Sequence, residues 1–134
     1  MNMAKDYYQS RNGGFRLERS TFRMMAWQAQ RYPHFKQTLD AIENMNPLKV
    51  KPQDTVDKVD LERHIKILED SIVTYVREEL REAVKEHAWY AVEYEDLAEK
   101  YYASIPVIKR AYQKYIWGIT QEYGQDFSRS GQEK

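Results

Sequence analysis

The side chains best suited to chemistry lie close together, between residues 104 and 114. If Ile108 faces inward on a helix, the outward side chains of this stretch are Ser104, Ile105, Lys109, Arg110, Gln113 and Lys114. Arginine and lysine can donate hydrogen bonds to guanine, glutamine can pair with adenine, isoleucine can touch the methyl group of thymine, and serine can hold a phosphate. This set of residue types indicates a surface that binds DNA.

Two predicted helices joined by a tight turn would position these side chains. Apolar residues recur at intervals of four on both sides of the turn, at Leu97, Tyr101, Ile108 and Tyr112. Ala98 is small enough for a second helix to cross closely, Ser104 can cap that helix, and Pro106 fits its first turn. The turn is expected at residues 102 to 104, and the pattern is that of a helix-turn-helix, whose second helix enters the major groove. An αα-hairpin inside an ordinary bundle shares the same spacing and is the alternative.

A second group of cations lies near the N-terminus. Residues 15 to 32 have helical periodicity, and Arg16, Arg19 and Arg23 recur on one face of this predicted helix at intervals of three and four. Such a row forms a positive ridge suited to phosphate groups, although a solvated face is its commoner meaning. The polar residues 1 to 14 predict a flexible arm, whose cations can also follow a phosphate backbone.

Charge is distributed unevenly, although the 134-residue chain has no net formal charge. Residues 1 to 51 carry nine Lys or Arg against four Asp or Glu, residues 52 to 103 carry seven against fourteen, and residues 104 to 134 carry five against three. A net charge of zero argues against a nucleic-acid binder when taken alone. The basic ends that flank an acidic middle nevertheless permit phosphate contact at both ends.

The composition excludes several classes of protein. No cysteine is present, so disulfides, thiolate zinc sites and cysteine nucleophiles are excluded. No apolar run approaches the roughly 20 residues that span a bilayer, and no secretory signal is recognisable. We therefore expect a cytoplasmic protein that does not contact a membrane.

No active site is recognisable in the sequence. His34, His64 and His87 are isolated, and neither a metal-binding histidine spacing nor a phosphate-binding glycine loop occurs. The carboxylates lie in solvated rows with no apolar neighbours to raise a pKa. We therefore expect no enzymatic activity, no catalytic residue, no metal and no cofactor. Eleven tyrosines and three tryptophans can stack on single-stranded bases, but their helical spacing favours packing in the core and at interfaces.

The predicted fold is all-α, a helical bundle with a long central helix and a C-terminal helix-turn-helix. The central helix is predicted from residue 58 to 87, with Asp57 as its cap and a break near Thr74 as an alternative. Gly118 is a predicted weak point of the last helix, and Gly124 is its predicted end. The predicted segments are a basic arm and helical hairpin at 1–53, the long helix and an aromatic joint at 54–92, the helix-turn-helix at 93–124 and a disordered tail at 125–134.

The stretch LAEKYYASIPVIKRAYQKYIWGI resembles the C-terminal helix-turn-helix of sigma-factor region four and of the phage activators built on it. A small residue in the first helix, a serine that opens the second and a branched aliphatic residue inside it correspond to Ala98, Ser104 and Ile108. Upstream, RYPHFKQTLDAIE follows a basic helix and precedes a proline-containing linker and a long helix. This order is similar to the RinA and ArpU type of phage late-gene regulators, and the two likenesses together cover residues 15 to 124.

The resemblance implies a phage or prophage protein of Gram-positive hosts, located in the host cytoplasm, that binds promoter DNA and activates late genes. It assigns the DNA-facing positions to Ser104, Ile105, Lys109, Arg110 and Gln113. Host RNA polymerase is expected as a further partner, and a homodimer is left open. The first alternative is a phage packaging or assembly adaptor similar to a small terminase subunit. The second is a protein-binding helical module, favoured by the apolar edge Ile105, Pro106 and Val107.

Overall fold

The computed structural model describes the backbone of residues 7–9 and 16–132 and the side chains of residues 16–124. The described part is mostly helical, which confirms the predicted all-α class. Its helices are α1 Arg19–Gln30, α2 Tyr32–Glu43, α3 Pro52–Tyr75, α4 Arg81–Tyr90, α5 Tyr94–Tyr101 and α6 Ile105–Gln132. Two 3-10 turns, Pro47–Lys49 and Glu78–Leu80, precede α3 and α4.

A short antiparallel pair of strands precedes the helices. β1 Tyr7–Gln9 pairs with β2 Arg16–Glu18. Leu17 is buried between two exposed neighbours, which is the two-residue alternation of a strand. The structure thus has a strand within the predicted flexible arm, and α1 begins at Arg19 rather than at the predicted residue 15. The rest of the predicted arm lies outside the described residues.

Apolar side chains at helical spacing in α1 and α2 face the core of the protein. Phe22 and Ala29 of α1 are buried, as are Phe35 and Leu39 of α2. Pro33 lies in the first turn of α2, where a residue without an N–H group costs no helical hydrogen bond. The proline is therefore the second residue of α2 and does not interrupt its hydrogen bonding.

The predicted long helix is interrupted. α3 begins at Pro52, earlier than expected, and the backbone N–H of Lys51 donates to Asp54 Oδ2 at 2.8 Å. Asp54 therefore accepts the hydrogen bond that closes the N-terminus of α3. The prediction that Asp57 caps this helix is wrong, because Asp57 lies inside it. α3 ends at Tyr75, so a single helix from residue 58 to 87 is wrong and the alternative break near Thr74 is confirmed to within a residue.

The interruption after α3 is stabilised by a side chain of α4. Val76 is extended, with φ −117° and ψ 131°, and its side chain is buried. Arg81 Nε donates to the carbonyl oxygen of Val76 at 3.0 Å, and Arg81 Nη2 donates to that of Val73 at 3.1 Å. The last carbonyl groups of a helix have no partner within it. An arginine that returns to them therefore favours a helix end at this position.

α6 packs against α1, α3, α4 and α5, and its Tyr115 joins the helices through polar bonds in the core. Tyr115 Oη donates to the carbonyl oxygen of Leu68 at 2.9 Å and accepts from Trp89 Nε1 at 3.1 Å. Trp89 stacks on Tyr32 of α2, with the ring centroids 3.9 Å apart. Tyr115 is fully buried, and burial raises the pKa of its phenol far above the ordinary value, so the hydroxyl remains a donor.

α6 continues through Gly118 and Gly124 to Gln132, so the predicted helix end at Gly124 is wrong. The backbone of the predicted disordered tail is helical as far as Gln132. Gly118, the predicted weak point of the helix, is the site of a close contact, because a Cβ at this position would lie 2.2 Å from Cδ2 of Tyr75. The Tyr75 hydroxyl donates to Glu122 Oε1 at 2.7 Å. Glycine thus lets the Tyr75 ring lie directly against the backbone of α6.

Candidate nucleic-acid interface

The predicted base-contacting residues lie at the start of α6. Ile108 is fully buried. Of the others, Ser104, Lys109 and Arg110 are exposed, and Ile105, Gln113 and Lys114 are partly buried. α6 therefore has Ile108 in the core and the cations Lys109 and Arg110 toward solvent, which is the orientation that the DNA hypothesis requires.

α5 packs against α6 across a turn at residues 102–104, where the sequence predicted it. Leu97 of α5 and Ile108 of α6 are both fully buried. The carbonyl oxygen of Ser104 accepts the backbone N–H groups of Val107 and Ile108, each at 3.2 Å, as expected of a residue that opens a helix. The first turn of α6 contains no acidic residue. No carboxylate within that turn offsets the positive end of the helix dipole.

Tyr102 holds the turn in a conformation that tyrosine seldom adopts. Its φ of 53° and ψ of 39° lie in the left-handed region, and its side chain is 97% exposed. Glycine fits that region without steric cost. The backbone N–H of Ala103 donates to the carbonyl oxygen of Ala98 at 3.2 Å, which completes the end of α5.

Glu86 of α4 holds α5 in place. It accepts a hydrogen bond from Lys100 Nζ at 2.8 Å and another from the hydroxyl of Tyr101. These bonds keep the pKa of the Glu86 carboxyl below its usual value, and the bond from Lys100 has the larger effect. Both donors belong to the last turn of α5, so they fix the helix end beside the turn. No sequence periodicity connects Glu86 with these residues, and sequence reasoning missed the contact.

The predicted arginine ridge is divided between a strand and a helix. Arg16 belongs to β2, whereas Arg19 and Arg23 lie one turn apart on α1. The expectation that one helix carries all three is therefore wrong, because α1 starts only at Arg19. All three side chains are exposed. Arg23 also lines a groove that extends to α5 and α6.

This groove, of about 510 Å³, lies between α1 and the junction of α4 and α5. Its side chains include Phe22, Arg23 and Trp27 on α1, Glu93, Tyr94 and Glu95 at the junction, and Tyr112 of α6. Lys109 Nζ lies 5.7 Å from the centre of the Tyr94 ring. Arg23 of α1 therefore lines the groove, and Lys109 of α6 lies near one of the rings that line it, a relation that the sequence did not reveal.

His87 supports one wall of the groove. Its Nδ1 donates to the carbonyl oxygen of Val92 at 2.8 Å, since a carbonyl oxygen can only accept. The His87 ring stacks on Tyr94 with the centroids 4.0 Å apart and meets Tyr112 edge-on at 4.6 Å. Burial raises the pKa of the Tyr94 phenol above its ordinary value. The predicted aromatic joint thus connects α4 with both α5 and α6.

Two further observations concern the part of the chain that the structure describes. No three of its His, Cys, Asp and Glu side chains are grouped so as to hold a metal ion. None of its helices combines the length and the apolar character needed to cross a membrane.

Comparison with known proteins adds no relative. No family model matches the chain, and no curated protein or solved structure matches it. A function has to follow from the site itself, because even a shared fold would not define one.

Proposed function

We propose that this chain binds double-stranded DNA through the exposed face at the start of α6 and regulates transcription. The observation that carries the proposal is the division of this helix into a buried Ile108 and the exposed cations Lys109 and Arg110. In this hypothesis α5, the turn and α6 act as a helix-turn-helix. The second helix of that motif lies in the major groove, where arginine and lysine donate to guanine and Gln113 can pair with adenine.

Phosphate contacts would add affinity beside the base contacts. Arg19 and Arg23 are exposed on α1, and Arg23 lines the groove whose Tyr94 ring lies 5.7 Å from Lys109 Nζ. Cations that neutralise phosphates provide most of the sequence-independent affinity for DNA. The two sets of cations predicted from the sequence can therefore meet one duplex, with α6 in the groove and α1 near the backbone.

The type of regulator that we propose is a phage late-gene activator that works with host RNA polymerase. The resemblance to sigma-factor region four supports it, because Ala98 is partly buried against the core, Ser104 opens α6 and Ile108 is buried. These are the environments that the corresponding residues need in that motif. The chain would act as a binding protein rather than as an enzyme.

The proposal is tested with labelled duplexes selected from a random pool at low salt. Arg110→Ala should weaken binding to the selected site by about 1–3 kcal/mol if its guanidinium forms a bidentate contact with guanine. Arg77→Ala is the matched control, because Arg77 is an exposed arginine between α3 and α4 that pairs with Glu79. Arg23→Ala should weaken binding to all DNA sequences alike and reduce the salt dependence of the affinity by about one phosphate contact. Equal affinity of the Arg110→Ala variant and the parent protein would count heavily against the assignment.

A helical adaptor for phage assembly is the second candidate, and an exposed apolar surface favours it. Leu48 is 94% exposed, and Val56 and Val59 are exposed on the first half of α3. Val56 and Val59 line one shallow pocket on α3, and apolar residues that form a continuous exposed patch mark contacts between proteins. Light scattering after size exclusion separates the candidates, since a ring of many copies favours the adaptor and a monomer or dimer favours the regulator. Failure to bind any duplex at low salt would favour a purely protein-binding module.

A further inference from the structure

The groove between α1 and the junction of α4 and α5 has the dimensions and the lining of a small-ligand site. Its volume of about 510 Å³ lies within the range of roughly 300–1,000 Å³ that is typical of such sites. Apolar and aromatic side chains from four helices contribute to it, with a small number of charged groups at fixed positions. It lies beside the proposed DNA-binding face of α6, whose Lys109 lies near the Tyr94 ring of the groove.

Trp27 is the exposed aromatic side chain of the groove and can stack on a flat ligand, although the guanidinium carbon of Arg31 lies 4.8 Å from its ring centroid. Phe22 and Tyr112 meet edge-on within it, with their centroids 6.0 Å apart, and Tyr94 is held by its stack on His87. Trp27 lines the groove although its side chain is 59% exposed. A tryptophan with that exposure contributes little to the core, whereas a base stacked on an aromatic ring is worth about 1–3 kcal/mol.

The charged residues that line the groove are Arg23, Glu93 and Glu95, and Lys109 lies beside it, near the Tyr94 ring. Glu93 and Glu95 belong to the α4–α5 junction, Arg23 belongs to α1, and Lys109 reaches the Tyr94 ring from α6. A simple anion would be repelled by the two carboxylates, and a basic peptide would be repelled by the two cations. A ligand that combines amino groups with a phosphate can satisfy both, because carboxylates accept from amino groups and cations bind phosphate.

We propose that this groove binds one nucleotide, with its base against Trp27 and its phosphate toward Arg23 and Lys109. The carboxylates of Glu93 and Glu95 accept from the exocyclic amino group of the base. The nucleotide is either a free mononucleotide or an unpaired nucleotide of a nucleic acid, since both present the same chemistry. This nucleotide site goes beyond the proposed function, because α6 can enter the major groove of DNA whether or not a nucleotide is bound to the protein.

The first experiment measures binding of adenosine monophosphate, a short oligodeoxyadenylate and a duplex to the full chain by isothermal titration calorimetry. Trp27→Ala should weaken binding of the mononucleotide or the single strand by about 5- to 150-fold, the equivalent of one lost stack. Trp27→Phe keeps a ring and should retain most of the affinity. Tyr90→Ala is the matched control, because Tyr90 is also 59% exposed but does not line the groove.

The second experiment tests the carboxylates, whose effects on the two kinds of binding should have opposite signs. Glu93→Ala combined with Glu95→Ala should weaken nucleotide binding, because the acceptors of the amino group are lost. The same variant should strengthen binding of the duplex, because two negative charges in the groove that Arg23 also lines are removed. Inosine monophosphate, which carries an oxygen in place of the adenine amino group, should bind the unchanged protein more weakly than adenosine monophosphate.

The outcomes separate the two possible sources and the two proposals. Tight binding of the mononucleotide identifies a free nucleotide as the ligand, and binding of the single strand alone identifies an unpaired nucleotide. Absence of binding by both at millimolar concentration overturns the site, as does a Trp27→Ala variant that binds like the Tyr90→Ala control. A protein that binds the mononucleotide but no duplex retains this site and loses the proposed function.

Discussion

Replacement of Gly118 by alanine should destabilise the protein, although alanine is the better helix former. A Cβ at this position would lie 2.2 Å from Cδ2, 2.4 Å from Cγ and 2.7 Å from Cε2 of Tyr75, whereas ordinary contacts begin near 3.4 Å. These atoms belong to the rigid ring and not to the end of a flexible chain. The ring of Tyr75 or the backbone of α6 must therefore move.

The magnitude follows from three contributions. Overpacking of this kind costs about 1–3 kcal/mol. Movement of the ring also breaks the bond from Tyr75 to Glu122, and because both side chains are partly exposed, its loss lies near the lower end of the range of about 1.5–3 kcal/mol for bonds to charged groups. The higher helix propensity of alanine stabilises α6 by about 1 kcal/mol and offsets part of this loss. We expect the free energy of unfolding to fall by about 2 kcal/mol and Tm by roughly 6–10 °C.

Differential scanning calorimetry and an alkaline titration check this expectation. The hydrogen bond to Glu122 and burial raise the pKa of Tyr75 to about 12, so Gly118→Ala should return it toward the ordinary value of 10.0 and tyrosinate absorbance should appear at lower pH. Gly124→Ala is the matched control on the same helix, because no atom would lie within 4 Å of the added Cβ. It should raise the stability by up to about 1 kcal/mol. Two glycine variants that stabilise equally would refute the close contact between Tyr75 and Gly118.

Two further predictions concern the turn and the core, and both are checked by thermal unfolding. Tyr102→Gly relieves the left-handed strain at an exposed position and should raise the free energy of unfolding by about 0.5–1 kcal/mol, as should Ala91→Gly, where φ is 58°. A loss of stability in either variant would contradict the strain. Tyr115→Phe leaves Trp89 Nε1 without its acceptor in the core and should cost about 1–3 kcal/mol, whereas Tyr90→Phe on the surface should be neutral.

Periodicity predicted which residues are buried better than it predicted how the backbone connects them. Val76, Leu80 and Val84 recur at intervals of four within the predicted long helix, and all three are buried. The backbone between them is nevertheless extended at Val76 and forms a 3-10 turn at Glu78–Leu80. The same side chains can reach one core along either path, so the apolar pattern contains no sign of the interruption. The bonds that Arg81 forms with the end of α3 depend on the folded chain and have no periodicity of their own.

The candidate site divides in the same way. The outward direction of Lys109 and Arg110 follows from the burial of Ile108 on a single helix, which is a local property that sequence spacing contains. The groove brings Trp27 together with Tyr94, which belongs to a helix far along the chain. Contacts of this kind arise from tertiary packing. The helical spacing of the aromatic residues in the sequence therefore did not indicate that Trp27 would line an open groove.

The interruption that the sequence did not show is also what brings α4 to the candidate interface. In an unbroken helix, Leu68 and Trp89 would be separated by about 30 Å along the axis. In the folded chain both bond the hydroxyl of Tyr115, at 2.9 and 3.1 Å, so α4 has turned back along α3. Only in this position can Glu86 bind the end of α5 and hold it against α6. The position of α5 beside α6 and the shape of the neighbouring groove, which residues of α4 line, therefore both depend on the helix end at Tyr75.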